Sequence, residues 1–241
     1  EEKLEAYRSS LSEEQLDAMV EKTKALEAYQ EAGEDPKALE CIPMLKRSDI
    51  KREAAKIINE ELTVDDSLFL YHDVCTNGIG YVDLMFKTDS IAPEQIPYLG
   101  LLKSVLGYVD TENYTYGELF NEINANTGGI NCGVEVFDRA DSTAEFQAMF
   151  SVRGKALYTK MDFLFKMIGE ILNSSKLEDT KRLYEIVASV KSRAQVNLTG
   201  AGHSTAVLRA AAYSSPMAAF QDEMAGIGYY QFIEKLEKDF E

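Results

Sequence analysis

Along AEFQAMFSVRG, residues 144–154, the residues Phe146, Ala148, Phe150 and Val152 fall at every second position. A strand turns alternate side chains to opposite faces, so this stretch reads as one apolar face that needs a cover. The runs that follow supply it. KMDFLFKMIGEILNSS carries Phe163, Met167, Ile168, Ile171 and Leu172 at helical spacing, and EDTKRLYEIVASVKSRAQVN carries Leu183, Ile186, Val187 and Val190 in the same way. Strands grouped with runs of helices predict an α+β fold, with a mixed or antiparallel sheet and helices packed on one face.

Further strands are expected over GINCGVEVF, SLFLYHDVC and GIGYVDLMFKT, the last two joined as a hairpin through Thr76-Asn77-Gly78. Helices are expected over Pro97–Val109 and Tyr116–Thr127, and in GHSTAVLRAAAYS and GIGYYQFIEKLEKDF. The first ~35 residues read as one long helix, with Leu16, Met19, Val20, Leu26 and Tyr29 as its apolar stripe and Gly33 as its stop. So narrow a stripe does not fold alone. The expected organisation is a helical linker over 1–53 and a compact domain over 54–241, beginning near Ala54.

Charge narrows the partners. The net charge of -16 offers no basic face to displace counterions, so nucleic acid is excluded as an expected partner. No apolar run approaches the ~20 residues of a membrane span, so no membrane partner is expected. Cys41, Cys75 and Cys132 are odd in number and widely spaced, which points to reduced thiols. The acidic amphipathic start is unlike a targeting leader and lacks an initiator methionine. The chain is therefore expected to be cut from a longer, cytoplasmic polypeptide.

Residues 98–134 run helix, Asp110-Thr111-Glu112-Asn113-Tyr114 turn, helix, Gly128-Gly129 pair and strand. That order of parts surrounds a His-x-x-Glu-His helix in one class of zinc peptidase, where two imidazoles on one helix face share the metal and the Glu activates water. Laid onto this chain without gaps, the first His falls at Leu101, the Glu at Ser104 and the second His at Val105. With IPYLGLLKSVLGYVDTENYTYGELFNEINANTGGI and GHSTAVLRAAAYSSPMAAFQDEMAGIGYYQFIEKLEKDF, the chain resembles the pitrilysin/insulinase superfamily, most closely its presequence-protease branch. The likeness covers essentially the whole chain.

The resemblance implies an inverzincin metallohydrolase-like domain, the ligand-free third of four domains in a clamshell whose first domain holds the zinc. The helical leader would be the hairpin joining the two halves. It implies no catalytic, cofactor or metal residue here, with Leu101, Ser104 and Val105 as vestigial site positions and zinc in the catalytic half of the parent. Glu178 and Glu185 lie about where the family's distal Glu would come, and the Arg and Tyr lent to the active site would lie beyond Glu241. The implied partners are the catalytic half of the same polypeptide and unfolded peptides, and the compartment becomes the mitochondrial matrix for a eukaryotic source.

Other candidates carry less. His72, Asp73 and Cys75 are the densest group of ligand types, but a strand sends His72 to the face opposite the other two. His203 opens a helix in GAGHST with Ser204 and Thr205 available for capping. TGAG at Thr199–Gly202 lacks the Lys-Ser/Thr end of a phosphate loop and reads as a helix break. Two functions follow: a non-catalytic part of a zinc oligopeptidase that walls a chamber and binds peptide, or a structural module like inactive processing-peptidase core subunits. A clamshell needs the leader as a hinge, which favours the first.

Overall fold

The computed structural model describes residues 2–33, 36–53, 56, 58–139 and 141–240. The chain divides into two compact units, Glu1–Asp73 and Val74–Glu241. The domain start expected at Ala54 lies outside the described residues.

In the first unit the single long helix of the sequence reading is two, α1 (Glu2–Ser10) and α2 (Glu13–Glu31). Ser12 divides them. Its hydroxyl accepts from Gln15 N at 3.2 Å while the Gln15 side chain accepts from Ser12 N at 2.9 Å, a reciprocal capping box that starts a new helix. None of the residues of α2 is buried, and the helix ends at Ala32, one residue before the expected glycine stop. A short α3 (Pro36–Leu39) follows.

The expected hairpin forms elsewhere. Strand β2 (Ser67–Tyr71) pairs antiparallel with β1 (Glu60–Val64), across Asp65 and Asp66 at φ 47° and 62°. Two adjacent left-handed residues are the backbone of the preferred two-residue hairpin turn, and aspartate tolerates that conformation. Thr76-Asn77-Gly78 does make a tight turn, with Ile79 N donating to Thr76 O at 3.2 Å. It leads into β3 (Ile79–Lys87), whose partner is another strand of the second unit.

That unit holds a three-stranded antiparallel sheet in the order β3-β5-β4, with β4 spanning Ile130–Arg139 and β5 Ser142–Leu157. Along β5 the burial follows the period of two apart from buried Ser151: Ala148, Phe150, Val152 and Ala156 are buried, whereas Arg153, Lys155 and Leu157 are exposed. The buried face packs against α4 (Ile96–Val105), α5 (Tyr116–Asn126), α6 (Met161–Ser174) and α9 (Pro216–Ala225) through Leu99, Leu119, Leu164, Met167, Phe220 and Met224. The fold is α+β with an antiparallel sheet. On the opposite face, Arg153 links Asp83 at 2.6 Å to Glu135 at 3.1 Å across all three strands.

A second apolar cluster lies among helices. α7 (Thr180–Gly200) contributes Ile186, Val187 and Val190, and α10 (Ile227–Lys238) contributes Tyr229 and Ile233. α8 (Gly202–Ala211) connects α7 to α9. No helix among the described residues is long and apolar enough to cross a membrane.

Candidate functional site

The turn between α4 and α5 is built by hydrogen bonds that reach α6. Thr111 N donates to Tyr114 O at 2.8 Å, Glu112 N to Ser174 O at 3.0 Å and Lys176 N to Asp110 O at 2.8 Å. Thr111 is 1% exposed. Thr115 then starts α5 with a capping box to Glu118, and Asp110 Oδ1 accepts from Tyr116 N at 2.8 Å. The segment that frames a zinc helix elsewhere is thus held here by contacts that owe nothing to a metal.

The helix it follows, α4, lies between two apolar clusters. Leu99, Leu102 and Leu106 face the sheet cluster, while Leu101 and Val105 face the cluster built on α7 and α10. A converted metal face is expected to bury Leu101 and Val105 together in the core. Val105 is buried at 4% exposure, but Leu101 is only half-buried, and both pack towards helices. The reason is the helical period: residues 99, 102 and 106 claim the sheet side, which leaves 101 and 105 about a third of a turn away. Both also border an apolar groove of about 620 Å³ with Ile91, Tyr98, Leu177 and Leu183.

Ser104 points elsewhere. It lines a cleft of about 650 Å³ with Lys103, Cys132, Glu135, Arg182, Glu185 and Arg193, between α4, the β4 strand and α7. Of the two acids that lie about where the resemblance would put a distal Glu, Glu185 is in this cleft and is held by Arg182 at 3.0 Å, whereas Glu178 is exposed and does not line it. Arg182 makes two further contacts. Its Nε donates to Tyr108 O at 2.9 Å, and its guanidinium lies 4.0 Å from the centre of the Tyr116 ring. Burial pushes the Cys132 thiol up to about 11, so it stays protonated and a poor nucleophile at neutral pH. Burial also lowers the Lys103 ammonium below its ordinary value.

The remaining candidates do not converge. His72 Nδ1 lies 2.7 Å from Ile58 O, and the Cys75 thiol donates to Asn77 Oδ1 at 3.7 Å. His203 is exposed on α8, whose N-cap is Ala201 with no side-chain cap; Thr205 instead donates to Ala201 O at 3.3 Å. Among the described residues no group of three or more His, Cys, Asp or Glu could hold a metal ion. The zinc frame itself offers no fit: Leu101 and Val105 end in hydrocarbon and present no lone pair.

The chain has relatives among known proteins. Residues 1–236 match the family model described as associated with peptidase M16, subfamily C. The chain belongs to this peptidase-associated family. It is 35% identical over 237 residues to protein HypA of Clostridium perfringens, covering 98% of this chain and 24% of that protein. It is 30% identical over 238 residues to presequence protease 1, chloroplastic/mitochondrial, of Arabidopsis thaliana, covering 98% of this chain and 22% of the relative. With the mitochondrial presequence protease of Yarrowia lipolytica it shares 28% over 228 residues, 95% of this chain and 23% of the relative. The chain thus spans about a quarter of the length of these relatives. It is a peptidase-related, presequence-protease-like region.

Sequence reasoning misses the cleft's basic side chains. Lys103 lies between Leu102 and Ser104, and the sequence reading does not single it out. Arg182, Ser189 and Arg193 share one side of α7, a signal hidden by the apolar stripe at Leu183, Ile186, Val187 and Val190 beside it.

Proposed function

We propose that this peptidase-associated chain is the inverzincin-like, non-catalytic third domain of a zinc-dependent oligopeptidase, with residues 1–53 as the helical linker to the catalytic half of the same polypeptide. In that reading it walls a closed chamber and helps bind unfolded peptides, while the zinc belongs to the other half. The observation that carries it is the α4 frame: the turn, the second helix and the strand are all built, yet Leu101, Ser104 and Val105 occupy the positions of two ligands and a general base. The names of the relatives support a peptidase context, and those called mitochondrial support a matrix location for a eukaryotic parent; a bacterial one would work in the cytoplasm. Val105 buried among Ile186, Val187 and Val190 supports conversion of the former metal face into packing.

The test is elemental analysis of the purified chain together with a fluorogenic peptide assay, alone and mixed with the catalytic half. The expected result is no stoichiometric zinc and no cleavage alone, with long-peptide cleavage raised when the halves are combined. Chelator-sensitive cleavage by the chain alone would overturn the reading. An unchanged rate on mixing would leave it a structural module.

A further inference from the structure

The cleft beside β4 contains two acids and three bases, and they are unequally matched. Glu135 is paired with Arg153 at 3.1 Å and Glu185 with Arg182 at 3.0 Å. Lys103 and Arg193 line the same cleft with no hydrogen bond or ion pair to any described residue. Lys103 is half-buried, so its ammonium has lost part of its water without gaining a counter-charge. Arg193 stands exposed at the rim. The cleft's own acids are engaged, so the free charge it presents is positive in a chain of net charge -16.

One wall of this cleft is Cys132–Glu135 of β4. In the sheet order β3-β5-β4 this strand is bonded on one side, and among the described residues no strand covers its other edge. Such an edge offers main-chain donors and acceptors at strand spacing, which an extended peptide satisfies and a compact metabolite does not.

We infer that Lys103 and Arg193 form an anion subsite at the free edge of β4, which takes a carboxylate of an extended peptide laid along that strand. The carboxylate is either the peptide's C-terminus or an acidic side chain; both present the same two oxygens to an ammonium and a guanidinium. The inference rests on the peptide-binding reading above and adds a polarity to it: the chain would prefer peptides that bring a negative charge to this end of the cleft.

A fluorescently labelled, unstructured peptide without acidic residues separates the possibilities when made in three forms: free C-terminus, C-terminal amide, and amide with one internal Glu. Binding to the 241-residue chain is read by anisotropy, for wild type, Lys103→Gln, Arg193→Gln and the double variant. At least one charged form is expected to bind about fivefold or more tighter than the neutral amide, and which one does so identifies the source of the carboxylate. The variants should erase that advantage while leaving the neutral amide's affinity unchanged. Arg193→Gln, at an exposed position, keeps the test valid if Lys103→Gln weakens the fold. Equal binding of all three forms, or an advantage that survives the double variant, overturns the subsite and leaves peptide binding intact. No binding of any form overturns both.

Discussion

Asp222 and Arg209 form an ion pair at 2.7 Å in which the carboxylate is 1% exposed and the guanidinium side chain 37% exposed. The same carboxylate accepts from Ile227 N at 3.0 Å and Gly228 N at 3.1 Å, so one residue of α9 caps the first turn of α10 and anchors α8. Asp222→Ala leaves two backbone donors and a cation without their acceptor. It is expected to destabilise by about 2–4 kcal/mol, less than a fully enclosed pair because Arg209 reaches solvent. Arg209→Met should lower the midpoint less than Asp222→Ala does, since both backbone caps survive it. Urea midpoints of the two variants measure the asymmetry.

Glu170 on α6 makes the acid limb of stability specific. Hydrogen bonds from the Thr111 and Asn113 side chains hold its carboxyl below the ordinary 4.5, and Asn113 N adds a third at 3.2 Å. Below pH 4.5 the folded carboxylate binds fewer protons than the unfolded one. Its contribution is therefore complete above that pH and is lost as pH falls through the folded value. Glu170→Gln should lower the urea midpoint at pH 7, and its gap to wild type should narrow as pH falls below 4.5. Parallel pH profiles would show that this contact does not carry the dependence.

Val105 and Leu101 are not equivalent positions for histidine. An imidazole at Val105 enters the cluster of Ile186, Val187 and Val190, at an expected cost of about 2–4 kcal/mol. At half-buried Leu101 the ring can turn to the groove, and the cost should be about 1 kcal/mol. Thermal midpoints of the two single variants check the order; equal values would mean that the inner turn of α4 is open.

Gly100 sits where α4 touches α9 and α10. A Cβ there would lie 2.7 Å from the Tyr229 ring and 3.0 Å from Met224 O. Glycine to alanine inside a helix ordinarily gains up to about 1 kcal/mol, but backbone on the far side cannot yield. Gly100→Ala is therefore expected to destabilise, by about 1–3 kcal/mol in chemical denaturation.

Local chemistry determined much of this chain. The period of two in β5 and the 3.6 period of α6 and α7 are interactions among residues within a few positions of each other, and the sequence displays them directly; the capping boxes at Ser12 and Thr115 are equally local, yet the apolar stripe reads as one helix running through Ser12. The α4-turn-α5-strand frame and the absence of imidazoles at Leu101 and Val105 and of a carboxylate at Ser104 belong to the same class. Pairing was not local. β1 carries Glu60 and Glu61, a residue type depleted in strands, so the sequence alone pairs β2 with β3; the left-handed Asp65 and Asp66 decide otherwise. The facing of α4 was likewise undecidable from its apolar content alone. Leu99, Leu101, Leu102 and Val105 are interchangeable as hydrophobes, and only the placement of the sheet on one side and of α7 and α10 on the other sorts them. The same long-range placement sets Lys103 of α4 and Arg193 of α7 beside one strand edge, because sidedness and cross-element distance are properties of packing, which no stretch of residues contains by itself.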